Sequence, residues 1–431
     1  MAEPARAVAP LAGPLDATVT VPGSKSLTNR ALVCAALAEG TSTVSGALVA
    51  DDTAAMATAL AALGAGIEGT DPTTLAVTGT GGRLRPGPLD LDMRMSGTTA
   101  RFLAPVVALG TGDYRLDGAP SLRARPMGPV LDGVRALGAR VTDHGEPGHL
   151  PLTITAPGGA TGGEVPVAGD ASSQFVSGLL LAAPYAAGGV RLAVTTTLVS
   201  RPYVDLTAVV MAAFGVDVVP SGPAEAPVFT VPPGRYRHTD YRVEPDASAA
   251  AYLLSAAALV GGRVTVTGLG AATRQGDARF ADLLAAMGAR VERTADATTV
   301  VGTGRLAGLG AVDLADMPDM APTLAVVAAF ADGPTRVTGV GFIRGHETDR
   351  IAAVVHELGR LGVGAEATAD GFVVHPGPVR PAEVATYDDH RMAMSFALAG
   401  LRVPGVTIAD PGCVAKTFPG FWRALAGLAG Q

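Results

Sequence analysis

A helix-ending glycine returns through this chain at Gly64, Gly138, Gly215, Gly288 and Gly362, at intervals of 74, 77, 73 and 74 residues. Each closes an Ala- and Leu-rich run, as in Leu60-Ala61-Ala62-Leu63-Gly64-Ala65, Val134-Arg135-Ala136-Leu137-Gly138-Ala139 and Leu284-Ala285-Ala286-Met287-Gly288-Ala289. The unit this implies is a helix, an apolar residue, a glycine in the left-handed conformation and then a strand. A helix-stop signal is common, but five copies at one spacing make an architectural repeat.

Trp422-Arg423-Ala424-Leu425-Ala426-Gly427-Leu428-Ala429-Gly430 reads as a sixth copy whose helix stops at Gly430. The strand that should follow is missing. Leu15 to Val21, conversely, reads as a strand with no helix before it. We therefore expect the first strand to complete the last repeat, with six units grouped three and three. One domain is then continuous, residues 22–241. The other is discontinuous, residues 1–21 and 242–431, and holds both termini. Two strands cross between these halves, and a cleft between them is the expected ligand site.

Composition narrows the function classes. At 431 residues, 48% hydrophobic and 16% charged, the chain has material for large cores and is not of disordered type. A net charge of −7 argues against nonspecific nucleic-acid binding but permits a local basic pocket for a small anion. Cys34 and Cys413 have no CxxC partner and the seven histidines are scattered, so no metal-ligand spacing appears and both thiols are expected reduced. Met1-Ala2-Glu3-Pro4 lacks a basic and then apolar leader, which points to the cytoplasm. Ala247 to Gly262 is uncharged and apolar but too short to span a bilayer, and is expected as a buried helix.

Of the 32 lysine and arginine residues only Lys25 and Lys416 are lysine. A lysine that persists in so arginine-biased a chain marks a place where a compact ammonium serves and a planar fork does not. Lys25 lies in Pro22-Gly23-Ser24-Lys25-Ser26-Leu27-Thr28-Asn29-Arg30, a loop entering a helix, where backbone N–H groups favour an anion. It is not a Walker A loop, since Ser24 precedes the lysine and the earlier glycine is absent. Ser172-Ser173-Gln174 presents hydroxyl and amide donors at a second helix start, and Ser200-Arg201-Pro202-Tyr203 is a similar turn. Arg344-Gly345-His346-Glu347-Thr348-Asp349-Arg350 is expected to open a helix, with Glu347 and Arg350 on one face. Asp388-Asp389-His390-Arg391 is equally polar. Asp319 precedes the apolar run Leu324 to Phe330, and reads equally as a general base or a structural ion-pair member. Lys416 is expected at the start of the last helix. Converging, Lys25, Arg30, Arg125, Arg350, Arg391 and Lys416 would hold a ligand with more than one phosphate or carboxylate.

These segments, with Ser96-Gly97-Thr98, Arg125-Pro126-Met127-Gly128, Asp389-His390-Arg391-Met392-Ala393-Met394 and Ala415-Lys416-Thr417-Phe418-Pro419, run in one order across nearly the whole chain. In that order the sequence resembles the 5-enolpyruvylshikimate-3-phosphate synthases. The resemblance implies an α/β fold of two inside-out domains, each of three repeated βαβαββ units, with the active site in the inter-domain cleft. It implies transfer of the enolpyruvyl group of phosphoenolpyruvate to the 5-hydroxyl of 3-phosphoshikimate, with loss of phosphate. It further implies no metal or organic cofactor, no nucleic acid or membrane partner, and a monomer. By motif, Asp319 would be the base on the hydroxyl, Glu347 the acid–base group at C3, and Lys25 a contact to both substrates. Ser26, Arg30, Ser172, Ser173, Gln174, Ser200, Tyr203 and His346 would hold 3-phosphoshikimate together with Lys25 and Asp319. Gly97, Arg125, Gln174, Arg350, Arg391 and Lys416 would hold phosphoenolpyruvate together with Lys25. The two halves would close to exclude water.

Three positions depart from the common pattern of that family: His346 stands where lysine is usual, and Phe342 and Met95 where asparagine is usual. The charge of a histidine there would depend on pH near neutrality. A related transferase acting on a UDP-amino sugar would use a loop cysteine, and neither Cys34 nor Cys413 lies in such a loop. A noncatalytic phosphate-binding protein would lack the carboxylates Asp319 and Glu347.

Overall fold

All five repeated glycines adopt positive φ, from 79° at Gly362 to 111° at Gly64, in a computed structural model that describes residues 3–429. The turns are the same each time. The glycine N–H donates three residues back and the next N–H donates five residues back, as in Gly64 to Ala61 at 3.0 Å and Ala65 to Leu60 at 3.1 Å. This pairing satisfies the orphan carbonyls of a helix end, and a Cβ at such φ would be strained. The carbonyl before each glycine is used as well: Leu63, Leu137, Phe214, Met287 and Leu361 accept from Arg85, Thr161, Arg237, Ala307 and Arg380. The period in the sequence is thus a hydrogen-bond motif repeated with its partners. The last helix runs Phe421–Gly427, and Gly430, its expected stop, lies outside the described residues.

The sheets repeat too. Each begins with a parallel pair and continues with an antiparallel neighbour, for example Leu89–Asp92, Thr111–Asp117, Leu152–Pro157 and Arg140–Asp143 in spatial order. Among the described residues five sheets have four strands and one has three.

One expectation is corrected. Leu15–Val19 pairs in parallel with Gly262–Thr267, so it completes the fourth repeat and not the last. The last repeat's small sheet, Glu383–Val384 with Thr407–Ile408, is closed by Arg6–Ala7. The cause lies at Asp240–Arg242, the strand before helix Ala247–Val260. It pairs with Thr41–Ser45 instead, which leaves the edge of Gly262–Thr267 to be covered by Leu15–Val19. The strands before helices Lys25–Leu37 and Ala247–Val260 have in effect changed places.

The chain divides into two units, Met1–Pro22 with Glu244–Gln431, and Gly23–Val243. Each has its own apolar core. In every repeat the first helix is buried almost all round, as in Leu27 to Leu37 and Ala249 to Leu259. The strands alternate buried and exposed, as in Thr41–Ser45 and Leu15–Val19. Helices therefore form the interior of each unit and sheets its outer layer, the reverse of a doubly wound fold. Ala247–Val260 is the buried helix that its apolar run predicts. Among the described residues no helix is long and apolar enough to cross a membrane.

A consequence for function follows from this layering. The six inner helices begin at Lys25, Gly97, Ser173, Ala247, Ala321 and His390, and every polar segment at these positions is the start of a buried helix. Its donors and charges are held by a rigid apolar body behind them.

Candidate active site

In the unit Met1–Pro22 with Glu244–Gln431, Arg350 organises a cluster of charges. It opens helix Arg350–Arg360 beneath the cap of Asp349, which accepts from the Ala352 N–H, and its side chain is 1% exposed. A buried guanidinium is tolerated only when its donors are answered. Here Nε donates to Asp389 at 2.7 Å, Nη1 to Asp319 at 2.8 Å and Nη2 to Glu347 at 2.8 Å. Burial alone would depress the guanidinium, but Asp389, Glu347 and Asp319 together raise it above its ordinary value. Arg391 donates to the second Asp319 oxygen at 2.6 Å, and Lys416 to the second Glu347 oxygen at 3.0 Å. Asp389 also caps helix His390–Gly400 by accepting from the Arg391 N–H at 2.9 Å. Three cations thus face three carboxylates, and both oxygens of Asp319 and of Glu347 are oriented from either side.

Two local expectations are corrected. Glu347 does not share a helical face with Arg350, because the helix starts only at Arg350; their ion pair is made from the turn before it. Lys416 does not open the last helix. It ends the short 3₁₀ turn Pro411–Lys416, and the helix begins at Phe421, after Pro419, which disfavours helix in the residue before it.

His346 lies on the same cluster, its Nδ1 3.1 Å from Nη1 of Arg350. Arginine has no acceptor, so a hydrogen bond between these two atoms makes Nδ1 the acceptor. Phe342 packs edge-on against this ring at 5.8 Å. Asp277, on a 3₁₀ turn at Gly276–Arg279, is buried and accepts from the Ser248 hydroxyl. Burial, and then the charge of Asp319, push its carboxyl up to about 6. Nothing in Arg274-Gln275-Gly276-Asp277-Ala278-Arg279 separates it from a solvated charge run, so sequence reasoning missed it.

In the unit Gly23–Val243, Lys25 is the first residue of helix Lys25–Leu37 and lies 3.3 Å from Asp52. Ser172 caps helix Ser173–Ala182 by accepting from the Gln174 N–H. Gln174 is held from both ends: Arg101 donates to its Oε1 at 3.0 Å, and its Nε2 donates to Thr98 at 3.3 Å. Arg101 also donates to Ser172 at 3.4 Å and to the Pro126 carbonyl at 3.3 Å, beside Arg125. Arg125 itself is buried, and a Cβ built on Gly97 would come within 3.1 Å of its Nη1, so this glycine leaves room for the guanidinium. Ser200 precedes helix Arg201–Ala213 with a left-handed φ of 54°. Tyr203, on that helix, is half-buried.

Arg30, expected as a ligand contact, is placed as a brace. It donates to Thr207 at 2.7 Å, to the Ser26 carbonyl at 2.9 Å, to the Tyr203 carbonyl at 2.9 Å and to Ser177 at 3.3 Å. Full burial brings its guanidinium down to about 10. Arg101 has a signal in the sequence, as the single charge of the inner helix Gly97–Val107. Among the described residues no group of three or more His, Cys, Asp or Glu could hold a metal ion. Cys34 and Cys413 are both free thiols.

The sequence pattern of the family EPSP synthase (3-phosphoshikimate 1-carboxyvinyltransferase) matches residues 11–425. A 3-phosphoshikimate 1-carboxyvinyltransferase from Nostoc punctiforme is 46% identical over 412 residues, 95% of this chain and 95% of its own. One from Methanosphaerula palustris is 46% identical over 418 residues, 96% of this chain and 97% of its own. The solved EPSP synthase from Acinetobacter baumannii superposes with a TM-score of 0.82 at 31% identity, over 99% of this chain and 98% of that one.

Proposed function

The chain belongs to the EPSP synthase (3-phosphoshikimate 1-carboxyvinyltransferase) family, and from that premise we propose how its own side chains divide the reaction. The reaction transfers the enolpyruvyl group of phosphoenolpyruvate to the 5-hydroxyl of 3-phosphoshikimate and releases phosphate. It is a step of aromatic amino-acid biosynthesis.

The observation that carries the proposal is Arg350, bound at once to Asp319, Glu347 and Asp389, with Arg391 and Lys416 on the outer oxygens of the first two. Asp319, its oxygens oriented by two guanidiniums, takes the proton of the 5-hydroxyl as that oxygen bonds to C2 of phosphoenolpyruvate. Glu347 delivers a proton to C3. In the second step Glu347 removes a C3 proton while the C2–O bond to phosphate breaks. Acid–base groups set among cations suit a reaction in which charge shifts onto a departing phosphate.

Phosphoenolpyruvate is assigned to Lys25, Arg125, Gln174, Arg350, Arg391 and Lys416, with Gly97 leaving the space beside Arg125. 3-Phosphoshikimate is assigned to Lys25, Ser26, Ser172, Ser173, Gln174, Ser200, Tyr203 and Asp319. Arg30 acts on it through the Ser26 and Tyr203 carbonyls that it holds. His346 is assigned to 3-phosphoshikimate as well, at a position where many members of the family have lysine. The proposal includes a monomeric enzyme in the cytoplasm.

Substitution of Asp319 separates binding from chemistry. Asp319→Ala is expected to bind both substrates and to lose turnover by about two to four orders of magnitude, the usual contribution of a general base. Turnover within a factor of about three of the parent would remove Asp319 from the mechanism.

A further inference from the structure

Helix Arg350–Arg360 carries a second buried ionisable group, Glu357, on the same face two turns after Arg350. A buried carboxylate must find donors, and those of Glu357 lie outside the charge cluster. The Ala385 N–H donates to Oε2 at 3.1 Å, and the Tyr387 hydroxyl donates to Oε1 at 2.6 Å. Arg360, half-exposed, stands 3.6 Å from Oε2.

The segment so held is strained. Tyr387 and Asp388 both take a φ of 56°. The left-handed region is disfavoured for residues with a Cβ, and two in succession persist only where neighbours enforce them. Asp389 follows at once, its N–H donating to the Thr386 carbonyl at 2.9 Å, and helix His390–Gly400 then presents Arg391. One helix face therefore fixes this loop at both ends, Arg350 at Asp389 and Glu357 at Ala385 and Tyr387.

We propose that Glu357 is a positioning residue for Arg391, acting through the Tyr387 hydroxyl and the Ala385 N–H to hold the left-handed turn that aims the arginine. It touches no substrate. The inference rests on the assignment of Arg391 to phosphoenolpyruvate.

Steady-state kinetics on the full chain, with each substrate varied separately, test it. Glu357→Ala is expected to raise KM for phosphoenolpyruvate about tenfold or more, with kcat changing less than about threefold and KM for 3-phosphoshikimate unmoved. Tyr387→Phe removes one hydroxyl from a side chain that is 40% exposed, so it spares the fold. It is expected to shift the same constant by about threefold or more. Glu357→Gln keeps an acceptor oxygen and is expected to restore most of the loss. An unchanged KM for phosphoenolpyruvate in folded Tyr387→Phe, or equal changes for both substrates, would overturn the inference. Arg391→Ala is the reference. If it raises that KM while the Glu357 and Tyr387 variants do not, the assignment of Arg391 stands and the positioning role alone fails. If it too is silent, both fail.

Discussion

The ammonium of Lys416 lies 3.0 Å from Oε1 of Glu347, while Arg350 takes the other oxygen at 2.8 Å. The proposed acid–base group is therefore neutralised by the same cations that are assigned to the phosphoenolpyruvate anion. On this assignment the anion competes with Glu347 for both cations and adds negative charge beside it. A carboxylate so treated holds a proton more tightly. We predict net proton uptake when phosphoenolpyruvate binds, read by calorimetry at one pH in buffers of different ionisation enthalpy. Glu347→Gln should abolish the buffer dependence; an unchanged dependence would place the proton elsewhere.

Lysine at positions 25 and 416 should not be replaceable by arginine, the residue this chain uses everywhere else. Both reach a carboxylate oxygen, Lys25 at Asp52 at 3.3 Å and Lys416 at Glu347 at 3.0 Å. A longer planar fork would displace the carboxylates that these ammonium groups meet. Lys25→Arg and Lys416→Arg are each expected to lower kcat/KM about a hundredfold or more, measured by phosphate release. A mild effect in either would mark that lysine as a leftover.

Arg101 is predicted to matter as much as the residues it holds. It answers Ser172, Gln174 and the Pro126 carbonyl from one guanidinium, a reach that an ammonium cannot match. Arg101→Lys should lower kcat/KM about tenfold and unfolding free energy by about 1–3 kcal/mol. Parent-like kinetics would show that Gln174 keeps its pose without it.

Much of the architecture was legible in the sequence because the repeat is a backbone requirement. A left-handed turn at Gly64 and its four counterparts needs glycine, and glycine is visible. Most of the polar segments were legible because they lie at helix starts, where hydroxyls, amides and charges stand out against apolar runs; Lys416, at the end of a 3₁₀ turn, is an exception. Strand partners were not legible. Nothing local in Leu15–Val19 says that its neighbour is Gly262–Thr267, since pairing is decided by which edge another strand has left open. Asp277 and Glu357 were equally hidden, lying among solvated charges in sequence and becoming buried only through tertiary packing.

The burial of Asp277 has a consequence for stability. Its carboxyl is raised from 3.8 to about 6, so the folded state holds the proton more tightly than the unfolded chain. A raised acid contributes stability at low pH that is lost as pH climbs from about 4 to about 6, on the order of 3 kcal/mol. Asp277→Asn cannot lose it. Urea unfolding at pH 4.5 and 7.5 should show the variant gaining on the parent at the higher pH. Identical pH dependence would mean that Asp277 is ionised at no cost.

Phosphate release from phosphoenolpyruvate by the purified chain tests the functional account most directly. The account predicts release only when 3-phosphoshikimate is present, at a rate that disappears in Asp319→Ala. Release with a UDP-amino sugar as acceptor, or with no acceptor, would contradict it.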